Sequence, residues 1–121
     1  MTLHLLSMAL HWSILHTLHI IFASHPSHLQ VVIMEAAVLL EASWDSVVDE
    51  VWVCVVPPSE AVQRVVDRNG LTTEAAQKRL DAQLTNEDRV AKAHVVLSTL
   101  WEPEVTQKQC EKAWYLLLNR L

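Results

Sequence analysis

The chain has a single glycine, Gly70, among its 121 residues. Phosphate-cradling loops of the form G-x-G-x-x-G or G-x-x-x-x-G-K-[ST] need several positions without a Cβ, so neither is present. Cysteine is nearly as scarce. Cys54 lies in an apolar run and Cys110 in a helical pattern. With no C-x-x-C pair and no disulfide framework, a reducing compartment is implied. Positive charge is short as well: 9 Lys and Arg face 14 Asp and Glu, a formal net charge of −5 that argues against a nucleic-acid groove. The sharpest absence is local. From Met1 to Met34 there is no charged residue at all, and Glu35 is the first.

That uncharged stretch holds six of the seven histidines, His4, His11, His16, His19, His25 and His28. It has no basic residue to open a secretory signal, and histidines interrupt its apolar run every few positions. A membrane span over Leu5 to Ser24 has the right length but would bury His11, His16 and His19 in hydrocarbon, which argues against it. His16 with His19, or His25 with His28, could share a metal ion. No carboxylate or thiolate joins either pair, however, and Pro26 breaks a helix linking them. We therefore read residues 1–30 as a segment outside the fold, such as an alternative or erroneous N-terminus, and residues 31–121 as the folded domain.

What is present after residue 30 is an α/β pattern. Val31 to Leu40 is an apolar run broken by one acid, which predicts a strand buried on both faces. Val51 to Val56 predicts a second strand, ended by Pro57 and Pro58, and His94 to Leu100 a third that opens on a half-buried His94. Between them, Ser59 is placed to cap a helix to about Asn69, with Gly70 suited to its left-handed end. Thr72 or Thr73 caps a helix over Glu74 to Leu84, and Asn86 opens a short one to Lys92. After Pro103, a last helix repeats Cys110, Trp114, Leu117 and Leu121 at helical spacing. Trp44, Trp52, Trp101 and Trp114 read as packing residues. Strands alternating with helices imply a parallel sheet with right-handed crossovers. A sheet of three strands would expose long edges, open to a partner chain or to aggregation.

Three segments in order carry a resemblance: AAVLLEASW (Ala36 to Trp44), DEVWVCVVPPSEAVQRVVDRNGLTTEAAQKRLDAQL (Asp49 to Leu84) and HVVLSTLWEPEVTQKQCEKAW (His94 to Trp114). Together they resemble the dephospho-CoA kinase family, most closely the kinase domain of animal bifunctional coenzyme A synthases, over about residues 31–121. The resemblance implies an α/β, P-loop nucleotide-kinase-like parallel sheet with a helical lid, here lacking the phosphate-loop strand. It implies transfer of the ATP γ-phosphate to the 3′-hydroxyl of dephospho-CoA, with ATP and Mg²⁺ as cofactors and a cytoplasmic or mitochondrial location. The family's phosphate loop would lie upstream of the AAVLLE block, where this chain has only the uncharged segment, so the chain alone is expected to be inactive.

By the same resemblance, Glu35 is the strand-end acid that holds Mg²⁺ through water, in place of the family's usual Asp. Leu39, Leu40 and Glu41 form the block that contacts dephospho-CoA. Arg68 and Arg79 are the lid cations that neutralise charge on the transferring phosphoryl group, and Gln83, four residues beyond Arg79, faces the nucleotide. Residue type alone gives each a plainer role: a solvated acid for Glu35, a first-turn helix acid for Glu41, solvated helix cations for Arg68 and Arg79. Two other classes of function stay open at this point. One is a non-catalytic interaction module or truncated isoform acting through partners; the other is a membrane-associated protein anchored by residues 5–24.

Overall fold

A computed structural model of the chain describes residues 31–121. The histidine pairs, the span over residues 5–24 and the assignment of residues 1–30 to a separate segment lie outside the described residues. The chain divides after Val51 into two units.

In the first unit, the strand expected over Val31 to Leu40 does not form. Residues 31–36 carry no regular structure and residues 37–43 form turns, followed by a short 3-10 helix, Trp44–Val47. The Ala42 N–H donates to Val38 O (2.9 Å), that of Ser43 to Leu40 O (3.1 Å) and that of Trp44 to Leu39 O (3.0 Å). These bonds use carbonyls that a strand would turn toward a neighbour. The composition favours this outcome: Ala36, Ala37, Leu39, Leu40, Glu41 and Ala42 are helix formers, and a continuous apolar run does not by itself distinguish strand from turn. Ser43 takes a left-handed conformation (φ 58°) to end the turns. Met34, Leu39, Leu40 and Val51 are buried.

The second unit carries the sheet. Strand β1, Trp52–Val55, pairs in parallel with β2, Val95–Ser98, in a register running from Trp52 opposite Val95 to Val55 opposite Ser98. A parallel pair requires a long crossover. Here it comprises α1 (Pro58–Asn69), α2 (Thr73–Asp81) and α3 (Asn86–Lys92), and α4 (Pro103–Leu118) follows β2. The α/β class with parallel strands joined by helices is therefore observed.

Local chemistry sets the helix ends. Pro58, rather than Ser59, begins α1, because the first helical position needs no N–H and suits the fixed φ of proline. Gly70 ends α1 at φ 62°, its N–H donating to Val66 O (2.8 Å). A Cβ there would meet nothing within 4 Å, so glycine is needed for the backbone conformation and not for space. The Thr72 hydroxyl caps α2 by accepting from the Ala75 N–H (3.2 Å). The two helices pack through Val62, Val65 and Ala76, flanked by Val66, Leu71 and Leu80. Thr85 caps α3, accepting from the Asp88 N–H (3.1 Å), which leaves the Asn86 side chain free for another role.

Two sequence expectations shift. In α4 the buried residues are Ala113 and Leu117, while Trp114 and Leu121 are exposed, so the packed stripe follows i, i+4 spacing through Gln109, Ala113 and Leu117. A hydrophobicity reading passes over this stripe because a glutamine sits on it. Trp101 is 61% exposed and His94 is exposed rather than half-buried. No helix among the described residues is long and apolar enough to cross a membrane.

Candidate functional site

In open α/β sheets, ligands bind beyond the carboxyl ends of the strands. At that end of β1 the main-chain carbonyls are claimed by two other elements. Val55 O accepts from the Thr99 N–H (3.0 Å), just past β2, and Val56 O accepts from Asn86 Nδ2 (2.7 Å), in the first turn of α3. Arg64, midway along α1, reaches the same place. Its Nη2 donates to Thr99 O (2.7 Å) and its Nη1 to Thr99 Oγ1 (3.2 Å), while Nε pairs with Glu60 Oε1 at 2.7 Å. The planar guanidinium suits this task, since a lysine offers no fixed fork. The chain segments after β1 and β2 are thus tied to α1 and α3.

Beside this network lies a cleft of about 350 Å³, with Cys54, Val56, Leu80, Gln83, Asn86 and Arg89 among its walls. Arg89 Nη2 donates to Gln83 Oε1 (3.0 Å), and Gln77 Nε2 donates to Asp81 Oδ1 (2.6 Å). Burial pushes the Cys54 thiol above the usual range, and the neighbouring Cys110 pushes it further in the same direction. Cys54 therefore stays a neutral thiol near pH 7 and is a weak nucleophile there.

The residues singled out in the sequence fall in both units. In the first, Leu39 and Leu40 are buried and packed, whereas Glu35 and Glu41 are exposed. In the second, Arg68 is exposed in the last turn of α1, with Nε 3.3 Å from Asn69 Oδ1, and Arg79 is exposed in the last turn of α2. Gln83 does not share a helix face with Arg79 as the spacing suggests. Helix α2 ends at Asp81, and Gln83 turns to Arg89 and the cleft. Among the described residues no group of three or more His, Cys, Asp or Glu could hold a metal ion.

Arg64, Thr99, Asn86 and Arg89 were not legible as site residues in the sequence. The Glu60–Arg64 spacing signals an ion pair on a helix, but nothing in sequence announces its reach of 35 residues to Thr99. For Asn86, the structure moves the cap to Thr85 and releases the amide.

Comparison with known proteins bears on this arrangement. A family model described as dephospho-CoA kinase matches residues 2–100. A dephospho-CoA kinase of Geobacter sulfurreducens is 38% identical over 88 residues, covering 73% of this chain and 45% of that protein. Another, from Carboxydothermus hydrogenoformans, is 36% identical over 78 residues, covering 64% and 38%. The chain thus spans less than half the length of these curated relatives. The crystal structure of TT1252 from Thermus thermophilus superimposes with a TM-score of 0.69 at 25% identity, over 92% of this chain and 55% of that one.

Proposed function

The chain belongs to the dephospho-CoA kinase family, and from that premise we propose that it supplies the acceptor-side and lid elements of a domain that transfers the ATP γ-phosphate to the 3′-hydroxyl of dephospho-CoA, without performing the transfer by itself. The observation that carries this reading is the α1–α2 pair. It leaves the carboxyl end of β1 directly and presents Arg68 and Arg79 exposed in its last turns. Exposed cations on a helical element that follows the ligand end of a parallel strand suit phosphoryl transfer, where charge spreads over the equatorial oxygens.

Mg²⁺ and ATP are the groups this chemistry uses, and the residues of this chain do not by themselves fit them. The sequence has one glycine and no G-x-x-x-x-G-K-[ST] motif, so the main-chain amides that wrap a β-phosphate, and the lysine beside them, are missing. No cluster of three or more His, Cys, Asp or Glu that could hold a metal ion occurs among the described residues. This chain by itself therefore performs no step on bound Mg-ATP. Its roles are narrower: Arg68 and Arg79 toward transferring phosphates, Gln83 toward the nucleotide, and Leu39, Leu40 and Glu41 toward dephospho-CoA in a domain completed by a phosphate loop. Glu35 would add one carboxylate to the metal in that completed domain. The same reading assigns a cytoplasmic or mitochondrial place, without nucleic acid or membrane as partner.

Purified chain given Mg-ATP and dephospho-CoA is expected to form no CoA above background. Turnover in the range usual for kinases, about 1 to 100 per second, would overturn the reading.

A further inference from the structure

The outer edge of β2 is closed by a side chain. In a parallel pair, alternate residues of a strand turn both backbone groups toward the same neighbour. Thr99 N–H donates to Val55 O, so Thr99, Leu97 and Val95 face β1, and Val96 and Ser98 face away from it. At Ser98 the outward groups are already bonded. Its N–H donates to Gln109 Oε1 (2.9 Å), and its carbonyl accepts from both Gln109 Nε2 (3.0 Å) and Thr106 Oγ1 (3.0 Å). A carbonyl has two lone pairs and an amide one hydrogen, so nothing remains at Ser98 for another strand to bond. A single glutamine amide, anchored one turn back by its bond to Val105 O (3.3 Å), does what an adjacent peptide would do.

The other outward position is Val96, 42% exposed, in a groove between β2 and α4 whose walls include Lys112 and Arg120. One open position is too little for a ladder, and cations beside a strand edge discourage pairing. We propose that Gln109, with Thr106, is an edge plug: it occupies the strand-addition site of β2 and keeps two copies of this chain from pairing there edge to edge. The observation is independent of the kinase reading, since it rests on hydrogen bonds that a non-catalytic chain would need equally.

The test uses the full chain with two substitutions. Gln109→Leu removes the amide and leaves a branched apolar side chain one atom shorter; Gln109→Glu keeps an acceptor for the Ser98 N–H and removes the donor to its carbonyl. Sedimentation velocity over a concentration series should show self-association at least tenfold stronger for Gln109→Leu than for the parent chain. Hydrogen exchange at Ser98 in dilute protein should be at least tenfold faster, with Leu97, which faces β1, unchanged. Adding Val96→Pro deletes the remaining outward N–H, a change that edge strands tolerate, and should return association to the parental level. Should Gln109→Leu fail to fold, Gln109→Glu carries the test, with association expected between the other two. The plug is refuted if neither variant associates more than the parent, or if Val96→Pro leaves the added association intact, because the contact is then elsewhere.

Discussion

Replacing Arg64 with alanine probes the join between α1 and the carboxyl end of the sheet. Two kinds of interaction are lost. The pair with Glu60 is an i, i+4 ion pair with side chains 44% and 38% exposed, and such pairs contribute about 0.3 to 0.5 kcal/mol. The two bonds to Thr99 are charge-assisted and span 35 residues. Hydrogen bonds to charged groups contribute about 1.5 to 3 kcal/mol when dry, and partial exposure here reduces the two together to about 1 kcal/mol. Arg64→Ala should therefore lower unfolding free energy by about 1 to 2 kcal/mol, against about 0.5 kcal/mol or less for Glu60→Ala. For a unit of this size, each kcal/mol corresponds to about 4 to 8 °C in Tm. Arg64→Lys, which keeps the charge and loses the fork, should fall between them. Urea unfolding followed by far-UV circular dichroism reads all three. If Arg64→Ala costs no more than Glu60→Ala, the bonds to Thr99 contribute nothing and α1 is not held to the strand end in this way.

Gly70→Ala should destabilise by about 1 kcal/mol through its left-handed backbone alone, since no atom obstructs the added methyl, and Gly70→Asn by less; thermal melts compare the two. The raised Cys54 pKa makes the folded state hold a proton that the unfolded chain gives up. Stability should thus be unaffected below the usual thiol value of about 8.5 and fall as pH rises through it toward the folded value, a slope that Cys54→Ala should reduce in denaturation curves taken between pH 7 and 10. In a domain completed by a phosphate loop, Arg79→Ala should slow phosphoryl transfer more than it weakens dephospho-CoA binding, because its charge is needed most in the transition state. An unchanged rate constant in single-turnover kinetics would return Arg79 to a solvated helix face.

Much of the second unit was legible in the sequence because its signals are local. The apolar runs at residues 51–56 and 94–100, the prolines at 57, 58 and 103, Gly70 and Thr72 each specify a strand, a start or a stop within a few residues, and each element stands within a few residues of its expected place. The first unit misled for a physical reason. Val31 to Leu40 is apolar enough for a buried strand, but strand formation depends on a neighbour that the run itself does not encode, and the Ala and Leu content favours local helical hydrogen bonding. The network at the strand ends was hidden for a related reason: Arg64 with Thr99, Asn86 with Val56 and Gln109 with Ser98 join residues 11 to 35 apart in the chain, and polar side chains carry no periodic mark. The family resemblance puts Arg68, Arg79 and Gln83 in a lid, yet whether Gln83 shares a face with Arg79 depends on α2 stopping at Asp81.

If this chain carries the lid and acceptor side of a dephospho-CoA kinase domain without the phosphate cradle, it needs the other part of such a domain to make CoA. The most direct measurement is CoA formation from Mg-ATP and dephospho-CoA by three samples: this chain, the portion of the Geobacter sulfurreducens relative that it does not match, and the two combined. Neither half alone should form CoA, and the mixture should turn over measurably and more slowly when Arg79 is changed to alanine. Turnover by this chain alone, or a mixture no more active than its parts, would contradict it.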